Sequence, residues 1–128
     1  MIVDSSALIA LLHREQGWER IAAALASGAP VAIGAPTLTE TAIVLAARQL
    51  PPTLLPALLQ RAAIRVVPFG EEHAHVAADA YARFGRGRHR ASLNYGDCMT
   101  YAVASLARRP LLFVGDDFGH TDIEPVLT

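Results

Sequence analysis

Four short runs of apolar residues, spaced by stretches long enough for one or two helices each, constrain this chain more than any other feature. They are Met1–Val3, Val31–Ile33, Ile64–Pro68 and Leu111–Val114. Runs this short and this apolar read as strands buried on both faces. The stretches between them carry helix signals. Asp4-Ser5-Ser6 can cap a helix from about Ser6 to Arg14, and Trp18 to Ala26 reads as a second that ends near Gly28. Pro36-Thr37 opens a third that runs to about Leu50 and is closed by Pro51-Pro52, followed by Leu54–Ala63 and Glu71–Phe84. Asn94 caps a last helix in which Met99, Ala102, Val103, Leu106 and Ala107 recur at the spacing of a buried face. Strands alternating with helices predict an α/β fold, a three-layer α/β/α sandwich around a parallel sheet of four to five strands. The fifth is a short edge piece near Ile123. At 128 residues the chain is expected to form one domain over residues 1–128.

Composition matters mainly for what it excludes. All eleven basic residues are arginine, so a phosphate-loop lysine, a Schiff-base lysine and the lysine of a receiver domain are all impossible. The single cysteine, Cys98, rules out an internal disulfide and a thiolate metal cluster. The most apolar run, Ser6–Leu12, is too short to span a bilayer, and no basic residue precedes it as in a secretory signal. A soluble cytoplasmic protein without membrane attachment is expected.

In open parallel sheets ligands sit at the carboxyl ends of the strands, and the acids of this chain fall there. Asp4 directly follows the first strand and Asp116-Asp117 the last long one, while Glu40 and Asp97 lie in first turns of helices that begin on the same edge. Each has a purely structural reading: Asp4 as an N-cap, Thr37-x-x-Glu40 as a capping box, Asp97 as a first-turn acid, and Asp116-Asp117 as a turn. Together they form a concentration of like charge that calls for a cation. Carboxylate oxygens without soft ligands suit Mg²⁺ or Mn²⁺. His73 and His75 are two residues apart on a helix and face different ways, and Cys98 points away from Asp97. No nucleophilic triad can be assembled.

Ile2-Val3-Asp4-Ser5-Ser6-Ala7-Leu8, Thr39-Glu40, Leu93-Asn94-Tyr95-Gly96-Asp97-Cys98, and Leu112-Phe113-Val114-Gly115-Asp116-Asp117-Phe118 followed by Thr121-Asp122-Ile123 together resemble the PIN-domain ribonucleases, and among them the VapC toxins of toxin–antitoxin systems. The resemblance runs through essentially the whole chain. It implies a PIN-like sandwich and a pocket for Mg²⁺ or Mn²⁺ made by Asp4, Glu40, Asp97 and one of Asp116 and Asp117. Asp117, directly before the Phe, matches the family pattern better. Ser6 resembles the hydroxyl residue that supports the pocket, alternatively a plain helix-start serine. The activity implied is endonucleolytic hydrolysis of RNA by metal-activated water, leaving a 5′-phosphate.

The resemblance also implies partners: an RNA substrate, a VapB-like antitoxin that blocks the pocket with a basic side chain, and a second copy in a homodimer. Arg83, Arg86, Arg88 and Arg90, with His89, form a glycine-containing basic loop before Asp97, readable as an RNA approach or as solvated surface. Leu8, Leu11, Leu12, Leu45, Leu54, Leu55, Leu58 and Leu59 supply apolar helical surface, readable as an antitoxin site or as core. Two other functions compete: a catalytically silent α/β module that binds nucleic acid or protein, and a DNA-directed nuclease of the same fold.

Overall fold

The computed structural model describes residues 1–127. Among these, strands β1 (Ile2–Val3), β2 (Val31–Gly34), β3 (Ile64–Val67) and β4 (Leu111–Leu112) form one parallel sheet in the order β3-β2-β1-β4. The helices are α1 (Ser5–Leu12), α2 (Trp18–Leu25), α3 (Ala35–Ala47), α4 (Leu54–Arg61), α5 (Glu71–Phe84) and α6 (Tyr95–Ala107), with a 3-10 turn at Phe118–His120. No helix of the described residues is long and apolar enough to cross a membrane.

The two-residue period of a strand explains why β1, β2 and β4 are apolar throughout, whereas β3, expected to be buried on both faces, lies at the sheet edge and leaves Arg65 and Val66 exposed. Ile2, Ala32 and Leu111 lie side by side in register and enter one core with Ala77, Phe84, Ala102 and Val103 of α5 and α6. Their neighbours Val3, Val31, Ile33 and Leu112 enter a second core with Leu8, Ile21, Leu45 and Leu55 of α1 to α4. Each strand thus feeds both faces, giving the expected three layers. The chain runs outward from β1 through β2 to β3, then returns to place β4 on the other side of β1. The reversal of strand order falls at β1, so the carboxyl end of β1 is where a ligand crevice is favoured.

Four further expectations need correction. Helix α3 begins at Ala35 behind Gly34, which offers no side-chain cap; Glu40 therefore lies in the second turn, and the Thr37-x-x-Glu40 capping box does not form. Strand β4 stops at Leu112 because the chain is already leaving the sheet, with the Val114 N–H donating to Ser6 Oγ at 3.0 Å. The edge piece is a single bridge between Leu111 and Pro125, flanked by Leu111 N–H to the Glu124 carbonyl and Val126 N–H to the Leu111 carbonyl. On α6 the buried residues are Cys98, Thr100, Tyr101, Ala102, Val103 and Ala104, whereas Ala107 is exposed and Met99 and Leu106 are half-buried. Because α6 packs on β1, β2, α3 and α5 together, it buries an arc wider than one amphipathic stripe.

Of the eight leucines read as surplus surface, Leu8, Leu45 and Leu55 are core. Leu11, Leu12, Leu54, Leu58 and Leu59 are partly buried.

Candidate active site

Asp4 leaves β1 in an extended conformation and caps α1, accepting from the Ser6 N–H at 3.1 Å and the Ser6 hydroxyl at 2.6 Å through Oδ2. Its other oxygen, Oδ1, accepts from the Thr100 hydroxyl of α6 at 2.8 Å. Because the single Thr100 proton goes to Asp4, the Thr37 hydroxyl, 2.9 Å from Thr100 Oγ1, is the donor in that contact. A buried relay of hydroxyls therefore fixes a carboxylate that is only 4% exposed. Ser6 does two jobs, donating to Asp4 and accepting from Val114 as the chain leaves β4.

Glu40 reaches across from α3 and accepts from the Ser5 hydroxyl at 2.7 Å. Its carboxylate lies against Gly96, where an added Cβ would overlap Oε2. A side chain at Gly96 would push the Glu40 carboxylate away from the start of α6. One residue on, Asp97 sits third in α6. The Asp97 N–H donates to Asn94 Oδ1 at 2.8 Å, and the Asn94 N–H donates back to Asp97 Oδ2 at 3.0 Å, a reciprocal capping box.

The Asp97 carboxyl is raised from 3.8 to about 6. Burial is the largest cause, opposed by the Asn94 backbone hydrogen bond and then reinforced by the negative charges of Asp4, Asp117 and Glu40. The other three acids expected on this edge thus act through space on Asp97. Asp117 is among the charges felt by Asp97 and Asp116 is not. Gly115, at φ +106°, takes a left-handed turn that swings the exposed Asp116-Asp117 pair off the end of β4. The Asp116 carbonyl accepts from the Gly119 N–H at 3.1 Å.

Among the described residues, no three acids, histidines or cysteine form a ready-made ligand cluster. The hydroxyls and N–H groups just named hold Asp4, Glu40 and Asp97 each in place. The donor set still fits a hard divalent ion: it is all oxygen, net negative and joined electrostatically, and Mg²⁺ keeps several waters that span carboxylates not close enough to share it directly.

Around the acids, some residues depart from their expected roles. Arg83 is held by its own side of the molecule, donating to Tyr101 Oη at 3.3 Å and lying 3.5 Å from Asp122 and 3.9 Å from Asp79. The Tyr101 hydroxyl donates to Asp122 Oδ1 at 2.7 Å, and burial with this hydrogen bond pushes it up to about 12. Arg83 therefore belongs to an α5–α6 fastening. Arg86, Arg88 and Arg90 are exposed, with the Arg88 guanidinium 6.0 Å from the Tyr81 ring centre. Their loop is tied at its base by Arg86 N–H to the Leu93 carbonyl and Leu93 N–H to the Phe84 carbonyl. Cys98 is buried as expected, and burial pushes its thiol up to about 11.

Sequence reasoning missed Ser5, Thr37 and Thr100. Thr100 carried a usable signal, standing one turn after Asp97 on the same side of the helix. Nothing local marks Thr37, whose importance comes only from the α3–α6 contact.

The chain is similar to known proteins along nearly its whole length. The PIN domain model matches residues 1–124. VapC ribonuclease Mb2004c of Mycobacterium bovis and ribonuclease VapC36 of Mycobacterium tuberculosis are each 48% identical to the chain over 128 residues, covering 97% of it and 91% of the relative. A toxin–antitoxin complex from Klebsiella pneumoniae contains a chain of the same fold, with a TM-score of 0.71 at 20% identity, covering 94% of this chain and 92% of that one. With a family match along nearly its full length and relatives this similar, the chain belongs to the PIN-domain family, in its VapC branch.

Proposed function

We propose that this chain is a Mg²⁺- or Mn²⁺-dependent endoribonuclease, the toxin of a VapBC-type pair, acting as a single domain over residues 1–128. The observation that carries the reading is the gathering of Asp4, Glu40, Asp97 and Asp117 around the first turn of α6, where burial and then the charges of the other three raise the Asp97 carboxyl to about 6. The ribonuclease names of the relatives support RNA as the substrate. Asp4 and Asp97 are the principal metal ligands in this reading, with Glu40 and Asp117 completing the set and Asp116 outside it. A divalent ion bound there supplies charge neutralisation and lowers the pKa of adjacent water.

The chain's own contribution is orientation. Thr100 and Ser6 fix both oxygens of Asp4, Ser5 fixes Glu40, and the Asn94 backbone fixes Asp97. These supporting bonds aim the carboxylates before any ligand arrives. Arg86, Arg88 and Arg90 stand beside the start of α6 and hold phosphates of the approaching strand.

The toxin–antitoxin neighbour supports a protein partner. A groove of about 490 Å³ between α3 and α4, lined by Leu38, Leu45, Leu50, Leu55 and Leu59 among others, receives an apolar antitoxin segment, while a basic antitoxin side chain enters the acid pocket. The reading extends to a homodimer and to action in the cytoplasm.

The test is cleavage of end-labelled structured RNAs by the purified chain with Mg²⁺ or Mn²⁺. Cleavage abolished by EDTA and by Asp97→Asn is the expected result. Cleavage that survives Asp97→Asn removes this site from the reaction, and no cleavage together with no Mg²⁺-induced rise in Tm returns the chain to a silent binding module.

A further inference from the structure

Beside the acid pocket, on the other side of the α6 mouth, lies a second cavity that the metal chemistry does not use. It measures about 720 Å³ and runs between α5 and α6, within the range of about 300–1,000 Å³ typical of small-molecule sites. Ala77 and Cys98 are buried lining residues, flanked by the half-buried Met99 and Phe69. The rim is different in kind. Tyr95 is 79% exposed and Tyr81 41% exposed, and Arg86 and Asn94 lie beside them.

Two features make this rim unlike an ordinary hydrophobic surface. Tyr95 opens α6 with its ring in solvent, although a tyrosine contributes nothing to helix capping and a polar residue would serve the first turn as well. Asn94 belongs to both sites, since its Oδ1 accepts from the Asp97 N–H while the residue also lines the cavity. Its amide nitrogen keeps donors for a ligand. Tyr95 and Asp97, two residues apart, leave the first turn of α6 in different directions, so a strand wrapping that turn sets a phosphate at Asp97 and a neighbouring nucleotide at Tyr95, with Asn94 between the two sites.

Resting on the nuclease reading above, we propose that the α5–α6 cavity is a nucleobase subsite, in which an unpaired base next to the scissile phosphate stacks on Tyr95 and Tyr81 while Arg86 holds a backbone phosphate. The chemistry fits: flat apolar walls with exposed aromatic faces accept any base, and an arginine at the rim matches the anionic chain leaving the site. A base within a duplex cannot enter, because both its faces are already stacked, so the subsite selects single-stranded or looped RNA. Arg88, over the Tyr81 ring, adds positive charge on the same side.

The test is equilibrium binding in EDTA, which prevents cleavage, read by anisotropy of a labelled single-stranded hexa-adenylate. The comparison strands are a six-residue ribose-phosphate chain without bases and a labelled RNA duplex. Tyr95→Ala is expected to weaken hexa-adenylate about tenfold, the order expected for losing one stacked base, while Tyr95→Phe keeps wild-type affinity. The abasic strand is expected to bind wild type and Tyr95→Ala equally. Because Tyr95 is mostly exposed, an unchanged Tm checks that the variant is folded.

Equal losses for base-bearing and abasic strands, equal affinity of wild type for duplex and single strand, or no measurable binding by wild type would overturn the subsite. So would sedimentation showing that Tyr95→Ala splits a dimer, which would assign this face to a second copy. A wild type that cleaves RNA with Mg²⁺ but fails these binding comparisons loses the subsite alone. Failure of Asp97→Asn to abolish cleavage defeats the nuclease reading without reference to Tyr95.

Discussion

The two helices that begin at the acid pocket solve the same problem in opposite ways. Helix α1 starts with Asp4, buried and held at both oxygens by Ser6 and Thr100. Helix α6 starts with Asn94 as its cap and carries Asp97 inside its first turn, half-buried and raised to about 6. One carboxylate is part of the framework, and the other carries the strain of the pocket's charge. The difference teaches that capping and ligand binding are compatible roles, and that the number of hydrogen bonds received decides which role dominates the energetics.

The largest expected effects separate the two acids. Both Asp4→Ala and Asp97→Asn should abolish Mg²⁺-dependent cleavage, but their effects on the metal-free fold should have opposite signs. Asp4→Ala removes an N-cap and leaves the buried Thr100 hydroxyl without its acceptor, costing roughly 1–3 kcal/mol. Asp97→Asn keeps an oxygen to accept from Asn94 while removing a charge. A carboxyl whose folded pKa lies above its unfolded value holds its proton longer in the native state, so its contribution to stability is full below about pH 4 and is lost as pH rises through about 6. Asp97→Asn should therefore raise Tm at pH 8 in EDTA and leave it unchanged near pH 4. A lowered Tm at pH 8 would break the comparison. Mg²⁺ should reverse the picture, raising the Tm of wild type but not of Asp97→Asn, and losing that effect as pH falls below about 6.

A smaller effect sharpens the comparison from the supporting side. Thr100→Val preserves shape but removes the donor to Asp4 and the acceptor for Thr37. It should cost about 1–3 kcal/mol of stability and weaken Mg²⁺ binding about 10–100-fold, as loss of a ligand's supporting partner generally does; calorimetry and Mg²⁺ titration of Tm check both. Thr100→Ser should restore most of each. Smallest is the combined change of Arg86, Arg88 and Arg90 to Ala, which should leave Tm within about 0.5 kcal/mol equivalent, as exposed substitutions usually do. The same variant should flatten the salt dependence of RNA binding. An unchanged salt slope would remove this loop from the substrate path.

Legibility followed how local each cause was. The four strands, the bounds of α5, and the start of α6 behind its Asn94 cap were readable because apolar runs and capping residues act over a few positions. The start of α3 was not, because Gly34 caps without a side chain and Pro36 drew the boundary one residue late. That displacement turned Glu40 from an apparent capping partner into a residue aimed at Ser5 and Gly96. Arg83 looked like its exposed neighbours until Tyr101, Asp79 and Asp122 surrounded it. Thr37 and Thr100 are 63 positions apart, and no local pattern joins them. The acids could be grouped as candidates because the sheet edge sorts residues by their place after a strand, and Asp117 was preferred to Asp116 for the Phe that follows it; that Asp97 feels the charge of Asp117 depends on placement in space that no local pattern gives.

The bridge between Leu111 and Pro125 bears on how copies of this chain can go wrong together. A sheet edge offers a template for adding foreign strands. At β4 that template is covered by the returning chain, whose Glu124 carbonyl and Val126 N–H pair with Leu111 on either side of a proline that has no N–H to offer. The opposite border, β3, is shielded by a charged residue, Arg65, and by Pro68 immediately after it, while Val66 remains 40% exposed. Edge-to-edge aggregation of the folded chain is thereby confined to one margin, and losing the last few residues would open the second.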